Sequence, residues 1–521
     1  VIRAGRVRVQ RDIEVPVGGG VALPADRYYP SPGVSEGTPT ILVRSPMGRR
    51  PLGIFYGRYF ARHGFQVLVQ DSREAGDFRA HAVPLSREHE DGLATVEWLR
   101  QQPWFTGPLA MHGLSALGFS QWAIAADVPE LKALSVHLSA SSFADAIFTG
   151  GSFGLESVLI WLSNHSFTSS ITAPSRVRRA VATGRPLEEL DLLASGTRLP
   201  FFQEVLADQG PGSTLRTALD HSRTPRRTSV PPAHLVGGWY DVFVRGQLDD
   251  YLALRAAGHE PHLTVGPWFH YDLRHVMVSN REALAWFRAH LLGERSGVRP
   301  HPVRLFVTGA DEWRDYPHYP PPGTQQVRWH LQPGRGLAEG APAESQPDHY
   351  RFDPSDPTPA PRGPTLIGNS RPADNRALER RSDVLTYTSE PLRRPMEVIG
   401  SVTADLYVRS SREHTDFVVR LCDVHPGGAS MNLCEGILRL VRSADTADED
   451  GVRRISVELY PTGHRFRAGH RLRVQVCSGA SPRFPANPGT GERAGSVKVT
   501  AEQEVFHDPA RPSALVVPVV G

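Results

Sequence analysis

Residues 109–122, Leu109-Ala110-Met111-His112-Gly113-Leu114-Ser115-Ala116-Leu117-Gly118-Phe119-Ser120-Gln121-Trp122, constrain the fold more than any other stretch. They read as a strand, a sharp turn and a helix, with Gly113 and Gly118 flanking Ser115 at the turn. A residue without a side chain before the serine lets two backbones approach closely, and a strained turn then holds the hydroxyl above a sheet. The first N–H groups of the helix behind it can stabilise an oxyanion. The commoner elbow has its second glycine where Leu117 stands here. A hexapeptide of this kind also fits an ordinary strand-to-helix turn, so the rest of the chain has to decide.

The flanking sequence alternates in kind. Residues 1–30 read as antiparallel strands around a Gly18-Gly19-Gly20 turn. The apolar runs 38–45 and 65–70 suit buried parallel strands. Between them 54–63 reads as a helix ended by Gly64. A second helix is expected over 86–102, stopped by Pro103. Ser86 is its expected N-cap, and Glu88, Glu90 and Asp91 favour its first turns. Leu93, Val96, Trp98 and Leu99 give it an apolar side. Such alternation predicts an α/β sheet with parallel strands.

Over 142–230 clear strands vanish, and 155–162 and 186–193 look helical. That predicts an inserted cap, with 222–232 as a return loop. Strands resume at 234–240 and 261–266, and a helix follows over 282–292. After about residue 300, short strands alternate with Pro, Gly and Asp turns, among them 326–331, 398–408, 416–424 and 472–476. The segment 333–385 reads as mostly loop. The expected organisation is a first part of an α/β core over 1–141 and a helical cap over 142–230. The second part of the core covers 231–310, and a jelly-roll β-sandwich covers 311–521.

Composition narrows the function. With 58 basic and 55 acidic residues the net charge is +3, so no single-sign field points to nucleic acid or a membrane surface. Cys422, Cys434 and Cys477 are odd in number and lack C-x-x-C spacing, which argues against a disulfide framework or a zinc site. No apolar run reaches 18 residues and the first residues lack a signal-peptide shape, so a cytoplasmic protein is expected. A chain trimmed of a leader would read the same.

An elbow serine needs a base and a carboxylate to orient it, and in α/β hydrolases both follow the serine, from loops at the carboxyl ends of strands. Asp241 follows the strand 234–240, and His270 follows the strand 261–266. The histidine would take the serine proton and return it to the leaving group, while the aspartate holds the imidazole tautomer. Taken singly, His270 also fits a surface or hydrogen-bonding histidine, and Asp241 a helix cap or turn residue.

The motifs around these residues resemble the bacterial cocaine esterase and X-prolyl dipeptidyl-peptidase family of serine hydrolases. Gln70-Asp71-Ser72-Arg73 looks like one family motif, and Gly113-x-Ser115-x-x-Gly118 with Gln121-Trp122 like the nucleophile segment. Gly238-Trp239-Tyr240-Asp241-x-Phe243 resembles the acid segment, and Val265-Gly266-Pro267-Trp268-x-His270 the histidine segment. Val303-Arg304-Leu305-Phe306-Val307 with Glu312-Trp313-Arg314 resembles the exit from the hydrolase domain. Thr415-Asp416-Phe417 and Gly469-His470-Arg471-Leu472 resemble the C-terminal domain.

The resemblance implies an α/β-hydrolase core, a helical cap and a C-terminal jelly-roll, and a triad of Ser115, Asp241 and His270 with no metal or organic cofactor. It implies an oxyanion hole using the Ala116 N–H. It also places Phe148, Trp161 and Phe243 on aromatic walls of a substrate pocket. The substrate would be a small-molecule ester, amide or thioester. A homodimer is one open assembly.

Three positions depart from the family pattern. The family esterases carry an oxyanion-donating tyrosine where this chain has Met47, and a thioether cannot donate. Ala116 stands where tyrosine is usual, and Glu74 replaces the glycine after Arg73. Tyr56, Tyr59 and His112 are candidate substitute donors, and Arg49 and Arg50 candidate anion-binding groups; for each, a structural or solvated role is the alternative. Three readings of function follow. The first is a serine hydrolase acting through an acyl-enzyme. The second is an acyltransferase of secondary metabolism that passes the acyl group to a non-water acceptor. The third is a non-catalytic binding relative.

Overall fold

The computed structural model describes residues 6–31, 33–75, 81, 83–163, 167–208, 210, 212–368, 370–441, 447–492 and 497–521. The chain divides into two compact units. The first comprises Val1–Ala144, Leu199–Gly238 and Gly246–Arg304, and the second Asp145–Arg198, Trp239–Arg245 and Leu305–Gly521.

The first unit is built on a mixed sheet whose strands lie in the order Val7–Pro16, Ala22–Pro30, Gln66–Asp71, Thr40–Ser45, Leu109–Leu114, Leu131–His137, Ala233–Gly238, His262–Gly266. The first two pair antiparallel, and from Gln66–Asp71 onward every pairing is parallel. Thr40–Ser45 and Gln66–Asp71 are buried at every residue, which is why both read as near-continuous apolar runs. Two of their polar members, Arg44 and Gln70, pair with each other and with the neighbouring helix. Arg44 Nε donates to Gln70 Oε1 at 3.1 Å, and Gln70 Nε2 donates to Thr95 Oγ1 at 3.0 Å.

Two helices differ from expectation. The second begins at Glu88 rather than Ser86, with Arg87 at the cap position and no side-chain cap. Glu88, the first helical residue, turns its carboxylate inward to the fully buried Arg44, 2.8 Å away. The expected helix 54–63 is broken into a short α-turn Arg49–Leu52, a π-helical turn Gly53–Gly57 and an α-turn Arg58–Arg62. Arg274–Leu291 is longer than the expected 282–292. Its Ala283, Trp286 and Phe287 pack with Phe60, Phe65 and Val67 in one core cluster.

The segment 142–230 is helical, with Leu155–Ser163, Phe167–Ala182, Leu190–Ser195, Pro200–Ala207 and Thr214–Ala218. Its members divide between the two units at Leu199.

From Thr324 on, the second unit is a β-rich domain whose strands pair mostly antiparallel, while Gly336–Ala338 runs parallel to Leu385–Ser389. The run 398–408 is two strands, Met396–Gly400 and Thr403–Ser410, paired to Thr462–Phe466 and Arg453–Glu458 respectively. The segment 333–385 contains the strands Gly336–Ala338 and Asp348–Phe352, so it is less loop-like than its Pro and Asp content implies.

Candidate active site

The strand Leu109–Leu114 runs into Ser115, and the helix Ala116–Ile124 leaves from it. Ser115 has φ 57 and ψ −126, a backbone region that an L residue holds only under constraint, at about 1–3 kcal/mol. The constraints are visible on both sides. The Ser115 N–H donates to the His137 carbonyl at 2.9 Å. The Ser115 carbonyl accepts from the N–H groups of Gly118 and Phe119 at 2.8 and 3.0 Å, and from Ser139 Oγ at 2.7 Å.

The spacing of the two glycines has a steric reason. A Cβ on Gly113, at φ +153, would lie 2.3 Å from Leu117 Cβ, and one on Gly118 would lie 2.6 Å from Ser139 Cβ. Leu117 is itself core, packed with Ile41, Val43 and Phe60. The glycine thus sits at 118, where the helix meets Ser139.

His270 is fully buried, and its Nε2 lies 2.9 Å from Ser115 Oγ. It stands four residues past Gly266, at the carboxyl end of His262–Gly266. That strand pairs in parallel with Ala233–Gly238, with Gly238 opposite Gly266. Asp241 is three residues past Gly238. Its side chain is fully buried, and its Oδ1 accepts the Phe243 N–H at 2.7 Å. Phe243 and Phe148 are buried, and Trp161 is half-buried on Leu155–Ser163. These three and Asp241 belong to the second unit, Ser115 and His270 to the first.

Ala116 is the first residue of the elbow helix, where an N–H has no intrahelical acceptor. Met47 lies beyond the strand Thr40–Ser45 with 51% of its surface exposed, and its N–H donates to Ser45 Oγ at 3.0 Å. The substitute donors suggested by sequence pack into the core of the first unit. Tyr56 is buried against His112, ring centroids 4.6 Å apart. His112 Nε2 lies 3.2 Å from Asn280 Oδ1, and burial pushes its pKa down to about 3. Tyr59 packs on the same core. Arg49 is engaged by Asp71 at 2.6 Å, by Asp26 at 3.1 Å and by Asp12, so it braces the segment after Met47. Arg50 is exposed.

The Gln70-Asp71-Ser72-Arg73 motif is a brace too. Gln70 holds Arg44 and Thr95, Asp71 holds Arg49, and Arg73 pairs with Asp91 at 2.6 Å. Glu74 Oε1 accepts the Leu85 N–H at 3.0 Å. Sequence reasoning missed Ser139, which follows Leu131–His137 with no motif to mark it. It also missed a buried polar chain beneath the elbow. His137 Nε2 meets Ser135 Oγ at 2.7 Å, Ser135 Oγ meets His234 Nδ1 at 3.1 Å, and His234 Nε2 meets Glu282 Oε2 at 3.1 Å. Alternating placement of polar residues on parallel strands is the only sequence trace of it. Among the described residues one group, Asp423, His425 and His470, has donor atoms close enough to hold a metal ion.

Two family profiles match the chain. X-Pro dipeptidyl-peptidase (S15 family) covers residues 19–272, and the X-Pro dipeptidyl-peptidase C-terminal non-catalytic domain covers residues 296–516. The chain is also 30% identical to the cocaine esterase of Rhodococcus sp. (strain MB1 Bresler), over 99% of both proteins. The chain belongs to the cocaine esterase and X-prolyl dipeptidyl-peptidase family. It is accordingly a serine hydrolase of the esterase and peptidase kind. Solved structures agree on the fold. An aminopeptidase from the marine sediment archaeon Thaumarchaeota archaeon superposes with TM-score 0.83 at 21% identity, over 100% of this chain and 97% of the other. An α-amino acid ester hydrolase gives 0.82 at 19%, over 100% and 97%. No helix among the described residues is long and apolar enough to cross a membrane.

Proposed function

We propose that this hydrolase cleaves a small-molecule ester through an acyl-enzyme on Ser115, with His270 as base and Asp241 as the group that orients it. The observation that supports this most is the 2.9 Å approach of His270 Nε2 to Ser115 Oγ, at a serine held in a strained elbow. In the first step Ser115 Oγ attacks the ester carbonyl and its proton passes to His270 Nε2. The Ala116 N–H receives the developing oxyanion. Collapse expels the alkoxide, which takes the proton from His270. A water molecule then gives a proton to His270 and attacks the acyl carbon, and Ser115 is released with its proton restored. Every proton transfer passes through one imidazole.

The assignment of Asp241 rests on the family acid segment, and that of Phe148, Trp161 and Phe243 as contacts for the apolar part of the substrate rests on the same resemblance. The relative's name points to an ester substrate, and three aromatic side chains would suit an aryl group on it. A panel of aryl and alkyl esters tests the reading. Wild type turns over aryl esters with a pre-steady-state burst of the first product, and Ser115→Ala and His270→Ala abolish both burst and turnover. Turnover that survives in Ser115→Ala defeats it. Added alcohols or amines probe the acceptor: transfer product in excess of hydrolysis would move the assignment to acyl transfer.

A further inference from the structure

We propose that Asp423, His425 and His470 bind one divalent metal ion of the zinc class in the β-rich domain. Nothing in the hydrolysis uses these residues. Asp423 and His425 lie two residues apart, but His470 is remote in sequence, so only strand pairing brings the three together.

The strands Thr415–Val424 and Arg471–Cys477 run antiparallel with Asp423 opposite Leu472 and Val424 opposite Arg471. One further step along that register sets His425, just past the end of one strand, beside His470, just before the start of the other. The two imidazoles meet with centroids 4.6 Å apart. Asp423, one position inside, turns its carboxylate to both. His470 Nδ1 lies 2.8 Å from Oδ1 and 3.0 Å from Oδ2, and His425 Nε2 lies 3.6 Å from Oδ2. One donor atom from each residue falls within 4.8 Å of the others.

These separations suit a small ion. Bonds of about 2.0–2.2 Å in a tetrahedron put neighbouring ligand atoms about 3.4 Å apart. Side-chain rotations alone therefore bring the three donors onto one ion. Two neutral imidazoles and a carboxylate are a donor set that selects zinc and its neighbours over magnesium or calcium, and they leave one position for water. On binding, the His470 ring gives its Nδ1 lone pair to the ion and carries its proton on Nε2.

Two further features make this more than a hydrogen-bonded Asp–His pair. The carboxylate is held from behind: His464 Nε2 lies 3.1 Å from Asp423 Oδ2, and His464 Nδ1 lies 2.9 Å from Thr308 Oγ1. Partners of this kind orient a ligating carboxylate. The backbones of both histidines are also fixed. The His425 N–H donates to the Ala429 carbonyl at 2.9 Å and the Gly428 N–H returns to the His425 carbonyl at 2.8 Å, while the Leu392 N–H donates to the His470 carbonyl at 2.8 Å. Access is open from one side, because the His425 side chain is 44% exposed while Asp423 is 4% exposed.

The test uses the full chain, untagged and stripped with a chelator. Co2+ is titrated while its visible ligand-field spectrum is followed, and Zn2+ is then added as competitor. The expected result is saturable, equimolar Co2+ uptake with a low-symmetry nitrogen–oxygen spectrum that Zn2+ abolishes. Zn2+ should also raise the melting temperature. His425→Ala, on an exposed turn, should keep the wild-type circular dichroism and weaken binding by roughly tenfold or more. His470→Ala should do the same. Absence of equimolar binding in wild type overturns the proposal, and so does Co2+ affinity unchanged in a folded His425→Ala.

Discussion

Replacing Met47 with tyrosine should raise the rate of ester hydrolysis. Residue 47 follows the strand Thr40–Ser45, which pairs in parallel with the nucleophile strand through Thr40–Leu109, Ile41–Ala110 and Leu42–Met111. Continued along the same register, Ser45 aligns with Leu114. Met47 therefore leaves the sheet at the same edge as Ser115. Its own N–H is spent on Ser45 Oγ, and its thioether donates nothing, so this side of the oxyanion lacks a donor from residue 47. A fully preorganised oxyanion donor contributes about 2.7–4 kcal/mol. With 51% of residue 47 exposed, water competes for a new hydroxyl and the gain should be nearer that of an ordinary to strong hydrogen bond, about 1.4–2.7 kcal/mol. That is about 10- to 100-fold in kcat. The exposure also leaves room for the ring, and the Arg49 ion pairs keep the segment in place. The assay is kcat on one nitrophenyl ester for wild type, Met47→Tyr and Met47→Phe, each checked by thermal melting. Phenylalanine supplies the ring without the hydroxyl and should give no gain. A well-folded Met47→Tyr with wild-type kcat, or an equal gain from Met47→Phe, would refute the reasoning.

The elbow and the buried histidines give two more expectations. Gly113→Ala should cost about 1–3 kcal/mol for the clash with Leu117 and a similar amount for its positive φ, lowering the urea midpoint and kcat together; wild-type values for both would show that the turn is not constrained as described. His112 is neutral in the folded chain, its pKa held down to about 3 by burial, while the unfolded chain protonates near 6.5. The unfolded state therefore binds the extra proton as pH falls. Stability is full above about pH 6.5 and declines toward pH 3, by about 2 kcal/mol at pH 5 from this residue alone. Urea unfolding at pH 7.5 and 5 checks this, with His112→Phe expected to flatten the slope; equal stabilities at both pH values in wild type would contradict it.

Much of the hydrolase unit was legible because parallel strands buried on both faces leave unmistakable apolar runs, as at Thr40–Ser45 and Gln66–Asp71. The approach of His270 to Ser115 was legible for a related reason: loops after parallel strands gather at one edge of the sheet. What escaped was set by contacts remote in sequence. Glu88 begins its helix with its carboxylate turned inward to Arg44, and Ser86 is not the cap. Gly53–Gly57 took a π-turn inside a segment with ordinary helical periodicity. Short strands with polar buried residues, such as Ala501–Phe506 with Gln503 inside, carry too little apolar signal to be seen. The pairing of His425 with His470 depends on strand register, which no local pattern encodes.

The most direct test of the central claim is intact-mass measurement after incubation with a fluorophosphonate. An activated serine forms a P–O bond to the reagent and expels fluoride. The account predicts a single adduct on wild type, mapped to Ser115, none on Ser115→Ala, and much slower labelling of His270→Ala. An adduct that persists in Ser115→Ala, or an unlabelled wild type that still hydrolyses esters, would contradict it.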